Sequence, residues 1–215
     1  MLALRKAVIV CLVSSFCCFS SPFSLSADAA PKASAPAGNA VTEGPGALPQ
    51  ILLGPDGMPL DASWEQRYVN DTRTTIEKGV KGMMSGLGST AALKDSVEMF
   101  CRTWDDWAQS KLFQLEHSRD IDVYGNLYSL AVMCRTLRLA SEDWLNDTES
   151  AEAQAVFNKA LWLESRSRRL ADPVGEIIKN QSYSSFLPRR VEIMEEQFKY
   201  VDACYARRPF RPVAR

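Results

Sequence analysis

The stretch STAALKDSVEMFCRTWDDW, residues 89–107, decides the fold class. Its apolar residues Leu93, Val97, Phe100, Trp104 and Trp107 follow one another at steps of four, three, four and three. That spacing lines one side of an α-helix and is the seam spacing of antiparallel packed helices. Ser89 or Thr90 opens the helix, as a hydroxyl side chain can accept from an orphan backbone N–H of the first turn. The pattern returns in Val123, Leu127, Leu130, Cys134 and Leu137, which predicts a second helix packed on the first.

The same logic extends outward in both directions. From Asp61 to Asp172 there is no proline, and Ala, Leu, Glu, Lys, Arg and Met outweigh Val and Ile. No alternating pattern with hairpin turns interrupts that span. A helix is predicted from Ser63, where Ser63 and Gln66 match a capping box, with Val69, Thr72, Ile76, Val80 and Met83 on one face. Gly79 and Gly82 weaken its end, and Gly86-Leu87-Gly88 turns the chain. Another helix runs from about Glu149 to Leu170, capped by Asp147 or Thr148, with Val156, Ala160 and Leu163 inward.

Asp172-Pro173 reads as an N-cap followed by proline at the first helical position, so a short separate helix is predicted to about Asn180. A last helix starts near Pro188 and buries Val191, Met194, Phe198, Val201 and Tyr205, until Pro209 and Pro212 end it. The predicted fold is an all-α, antiparallel bundle of five or six helices over residues 61–208. A Pro/Gly-rich arm, residues 30–60, precedes it, and a basic tail, residues 209–215, follows. Within the arm, Ile51, Leu52 and Leu53 form an apolar run that reads as a tether or a docking segment.

The N-terminus predicts destination. Arg5 and Lys6 precede an apolar run, Ala7 to Phe19, and Ala27-Asp28-Ala29 offers a small-x-small cleavage step. Residues 1–29 therefore read as a secretory signal peptide cut after Ala29, or alternatively after Ser26. Phe16 spoils the lipoprotein box before Cys17 and Cys18. No later segment approaches the roughly 20 consecutive apolar residues of a membrane span. A bacterial periplasm is preferred and an extracellular location is the alternative. Asn70-Asp71-Thr72, Asn146-Asp147-Thr148 and Asn180-Gln181-Ser182 matter as glycosylation acceptors only in a eukaryotic secretory pathway.

Cleavage leaves 186 residues, one domain's worth, with 23 Lys and Arg against 25 Asp and Glu. That balance excludes a nucleic-acid binder, which needs a net basic footprint. Cys101, Cys134 and Cys204 remain, an odd number for an oxidising compartment. A hairpin that pairs Cys101 with Cys134 is centred between His117 and Ser118, inside the polar run that already suggests a turn. The expected disulfide is Cys101–Cys134, closing a loop of about 33 residues and stabilising by about 3 kcal/mol, with Cys204 a buried thiol.

Catalytic signatures are missing: no His-Glu-x-x-His, Gly-x-Ser-x-Gly, Walker loop or Cys-x-x-Cys occurs. The single histidine, His117, falls in the expected turn. Asp120 and Asp122 match two positions of a calcium loop, but Tyr124 stands at the fifth position and Ala131 at the twelfth; capping aspartates are the simpler reading. Trp104-Asp105-Asp106-Trp107 could offer a sugar-stacking platform with an acid pair. Adjacent carboxylates diverge by about 100° on a helix, however, and rings at seam spacing belong to a core. Glu195-Glu196 falls to the same geometry.

No cofactor or metal is expected. Three functional readings remain. The first is a non-enzymatic envelope protein that contacts an unknown protein partner as an accessory or assembly subunit. The second is a small-molecule-binding or sensor bundle with a ligand near Trp104, Trp107 and Tyr124. The third is an unrecognised carboxylate-based enzyme. Between Tyr205 and Arg215 four arginines occur without an acid. Two roles are open to this tail: it folds back on the chain's own acidic surface, for instance Asp105-Asp106 or Glu195-Glu196, as exposed ion pairs worth little each, or Arg207, Arg208 and Arg211, with Phe210 as apolar anchor, contact a partner or a peripheral anionic surface.

Overall fold

A computed structural model describes residues 53–55, 57–115, 120–181 and 185–211, with side chains except those of 105–115 and 181. The expected signal peptide, residues 30–52 of the arm, His117, Ser182, the residues after Arg211, and the side chains of Asp105, Asp106 and Trp107 lie outside that description. Among the described residues there are six helices: α1 Trp64–Gly86, α2 Thr90–Leu115, α3 Ile121–Thr148, α4 Ala151–Gln181, α5 Phe186–Gln197 and α6 Tyr200–Ala206. The fold is an all-α helical bundle, as the seam spacing predicts.

Entry to the bundle is a tight turn. Leu53 and Pro59 pair as an antiparallel bridge around Gly57, whose φ of 73° is the left-handed conformation glycine tolerates. The Ser185 hydroxyl donates to the Met58 sulfur at 2.8 Å, which ties this turn to the start of α5.

Helix starts follow their polar caps. The Ser89 Oγ accepts from Ala92 N–H at 3.2 Å, Asp120 accepts from Asp122 N–H at 2.8 Å, and Ser150 accepts from Ala153 N–H at 3.1 Å. The capping box at Ser63 is not formed. Its hydroxyl donates instead to the Asp61 carboxylate at 2.8 Å, so Asp61 shapes the entry to α1. Tyr68 takes the buried position beside half-buried Val69. Ser150, rather than Asp147 or Thr148, caps α4.

α3 is the central helix. It packs on α1, α2, α4, α5 and α6, most extensively on α4, to which residues 149–150 join it as an antiparallel hairpin. Consequently α3 buries far more than one seam: Ile121, Tyr124, Leu127, Tyr128, Ala131, Val132, Cys134, Thr136, Leu137, Ala140, Ser141 and Trp144 are all inside. α2 runs parallel to α4, since Lys94 pairs with Glu152 and, one turn along, Glu98 with Lys159. These exposed pairs fix register more than they add stability.

The predicted break at Asp172-Pro173 does not occur: α4 continues through Pro173 to Gln181. Proline there removes the bond to the Arg169 carbonyl and costs about 3 kcal/mol in a helix interior. Burial on both sides offsets the defect, with Leu170 and Ala171 before it and Val174 and Ile178 after it in the core. Gly175 lets α3 and α5 come close, because a Cβ there would stand 2.9 Å from the Tyr124 ring and 3.3 Å from Val191. The last predicted helix is instead two, divided at Phe198-Lys199. This break places the Phe198 ring edge-on to Tyr128 at 5.8 Å, with Arg135 and Arg168 over its face at 5.8 and 5.3 Å.

Candidate interaction site

Charged groups inside the bundle are matched to one another. Glu164 on α4, 6% exposed, receives Arg135 at 2.6 Å on one oxygen and Arg138 at 2.8 Å on the other. The Arg138 contact is an ion pair rather than an aligned hydrogen bond. Arg135 also grips Asp202 of α6 with two bonds of 2.7 and 2.6 Å, and Arg138 reaches Glu142 at 2.7 Å. The bonds to Asp202 and Glu164 outweigh burial and hold Arg135 charged. α3, α4 and α6 are thus joined by a network in which each charge has its counterpart, as burial requires.

A second buried cation stands near the α1–α5 contact. Arg190, 2% exposed, lies over the rings of Tyr68 at 4.9 Å and Phe186 at 5.6 Å, and Trp64 meets Phe186 edge-on at 4.9 Å. Asp122 feels its charge: burial and Asp120 raise the Asp122 carboxyl while Arg190 lowers it. A guanidinium over aromatic faces recovers part of its lost hydration.

Tyr124, expected at a ligand pocket with Trp104, is 3% exposed and belongs to this tyrosine-rich interior, 6.5 Å from Tyr128. Trp104 is buried on α2. Burial holds the hydroxyls of Tyr68, Tyr124, Tyr128 and Tyr205 above the ordinary phenol range. It also pushes the Cys134 thiol up to about 12, so Cys134 is a poor nucleophile. Unfolded, these groups release protons near 9 to 10; folded, they keep them. The unfolded state therefore binds fewer protons in that window, and stability falls as pH rises. For the thiol alone the loss approaches about 1.4 kcal/mol per pH unit between about 9 and 12. Urea unfolding midpoints are expected to drop steeply between pH 8 and pH 10.5, and a flat profile would contradict the burial of these groups.

Cys101 and Cys134 stand as neighbouring thiols, close enough that the charge of one opposes ionisation of the other. The sulfurs of the expected Cys101–Cys134 disulfide are not joined; both are free thiols. Cys204 is a buried thiol.

One residue of the basic tail, Phe210, is part of the fold. Phe210 is 5% exposed, and its N–H donates to the Tyr205 hydroxyl at 2.9 Å, which itself donates to Asp143 at 2.5 Å. Phe210 is therefore a core residue in this structure and does not present the exposed anchor that its sequence context suggests. Arg207 bonds to Glu77 at 3.1 Å and to the Tyr200 hydroxyl at 2.9 Å. Arg208 and Arg211 are exposed.

The outward face of α4 carries a feature that sequence reading passed over. Leu161 and Trp162 are 46% and 39% exposed, unusual for large apolar side chains, and they line a groove of about 440 Å³ with Asn158, Ser165, Arg166 and Arg169. Arg166 lies over the Trp162 ring at 5.6 Å. The signal was present: these residues share one helix face, while Val156, Ala160 and Leu163 occupy the inward one. Attention to the inward seam alone hid it. No grouping of His, Cys, Asp and Glu among the described residues could hold a metal ion, and no described helix is long and apolar enough to cross a membrane.

Fold and surface define an all-α helical bundle with an exposed aromatic–basic groove. Comparison with protein-family models, with curated proteins and with solved structures finds no match.

Proposed function

We propose that this chain is an exported, non-enzymatic helical bundle that acts by protein–protein contact, as an accessory or assembly subunit of a bacterial envelope. The observation that carries the reading is the exposed Leu161–Trp162 groove. A large aromatic side chain left half in water beside Arg166 and Arg169, which have no carboxylate partner among the described residues, has the composition of an interface hot spot. The inertness of Cys134 and the mutual neutralisation of Glu164 with Arg135 and Arg138 support a structural interior rather than catalysis.

Affinity capture with the mature chain from the envelope of the producing cells tests this. A stoichiometric protein partner is expected, and recovery of the chain alone would refute it. The export step predicts Ala30 as the mature N-terminus, which sequencing of the native protein checks. In an oxidising compartment the neighbouring Cys101 and Cys134 thiols join as a disulfide. Peptide mapping without reduction is expected to show that bridge, and a bridge containing Cys204 would refute it.

A specific observation favours a second reading, the ligand-binding or sensor bundle. The Thr72 Oγ1, the Tyr128 hydroxyl and the Asp122 Oδ1 are buried without a hydrogen-bond partner among the described residues. Buried polar groups are normally satisfied, so this interior suits a small polar guest. A rise in melting temperature with a small-molecule panel would support that reading, since a ligand of the folded state stabilises it by mass action.

A further inference from the structure

We infer that the outward face of α4 receives an acidic amphipathic helix from the partner protein; this rests on the protein-contact reading above and specifies its chemistry. Ala151, Ala155, Asn158, Trp162, Ser165 and Arg169 are all exposed and follow one another at steps of four, three, four, three and four. This is a second seam, on the opposite side of α4 from the core, with the heptad spacing that helices use to pack on one another. Its composition is graded. Ala151 and Ala155 leave room for a close backbone approach, Trp162 and Leu161 supply the apolar centre, and Arg166 and Arg169 give the far end its charge.

Charge selects the occupant. Neither Arg166 nor Arg169 has a carboxylate partner among the described residues, whereas Lys159, on the adjoining face of the same helix, is held by Glu98. The Trp162 ring positions the Arg166 guanidinium in advance, which lowers the ordering cost of binding. A helix with leucine-like residues toward Trp162 and glutamates or aspartates toward Arg166 and Arg169 satisfies both the apolar centre and the two cations. A lipid surface fits less well. Two cations contribute only about 2 kcal/mol at an anionic membrane.

The test places a photo-crosslinking phenylalanine analogue at Trp162 of the full chain in the cells that produce it, then sequences the crosslinked peptide. An acidic, helix-forming segment is expected. The double reversal Arg166→Glu with Arg169→Glu should cut crosslinking about tenfold, as should 0.5 M salt, through loss of charge attraction. Reversing the exposed Lys78 and Lys81 of α1 should leave it unchanged. All four side chains are at the surface, so an unaltered melting temperature confirms that each variant is folded. A basic or neutral peptide, a phospholipid adduct, or crosslinking indifferent to the double reversal would overturn the inference. Affinity capture that succeeds while position 162 yields no crosslink would also overturn it and leave protein contact standing. Failure of both would remove the two together.

Discussion

Glu164→Ala is expected to lower the unfolding free energy by about 3–5 kcal/mol, the largest loss from any single polar substitution in this bundle. The carboxylate stands between Arg135 and Arg138, at 2.6 and 2.8 Å, and it is 6% exposed. Truncation would leave two guanidinium groups facing each other across a space from which water is largely excluded. Arg135 still has Asp202, but Arg138 would depend on Glu142 alone. Glu164→Gln preserves shape and one acceptor oxygen, so it should cost clearly less. Denaturant unfolding of the three proteins side by side checks the order. Equal stability of wild type and the alanine variant would show that the network is decorative.

Phe210→Ala should cost about 3–5 kcal/mol, the range for emptying a buried aromatic site. Sequence reading places Phe210 instead as the apolar anchor of a basic tail. The contrast is what makes the measurement informative. Phe210 is 5% exposed, and its backbone is fastened to Tyr205, which is fastened to Asp143 of α3. Tyr205→Phe keeps the ring but removes both bonds, and about 1 kcal/mol of loss is expected. A Phe210→Ala protein with an unchanged melting curve would restore the exposed-tail reading.

Much of the architecture was legible because hydrophobic spacing and caps are local signals. The four-three steps from Leu93 to Trp104 and the hydroxyl at Ser89 mark α2 directly, and Ile76, Val80 and Met83 mark the inward face of α1. Errors arose where tertiary burial overrode a local signal. Asp172-Pro173 carries a helix-start signature, yet Leu170, Ala171, Val174 and Ile178 need one continuous inward face, and α4 runs through. Arg190 lies over Phe186, one turn earlier on α5, and over Tyr68, which α1 brings beneath it. α3 is buried nearly all round because five other helices surround it, a property no single-face pattern reveals. The outward seam of α4 was written in the sequence as plainly as the inward one, but alanine, serine and arginine do not stand out as a packing stripe until their exposure is seen.

The Phe210 clasp also governs when the molecule can exist. Asp202 completes the grip on Arg135, and Phe210 closes the interior beside Asp143, so two of the pieces that α3 requires are translated well after α3 itself. A ribosome adding about 5–20 residues per second delivers them several seconds after α3. Until then the emerging chain holds a half-built interior and can only fluctuate among loose helical forms. On the proposed export route, through a channel that admits unfolded chains, such lateness would be an advantage: the sequence would postpone its own completion until passage is under way.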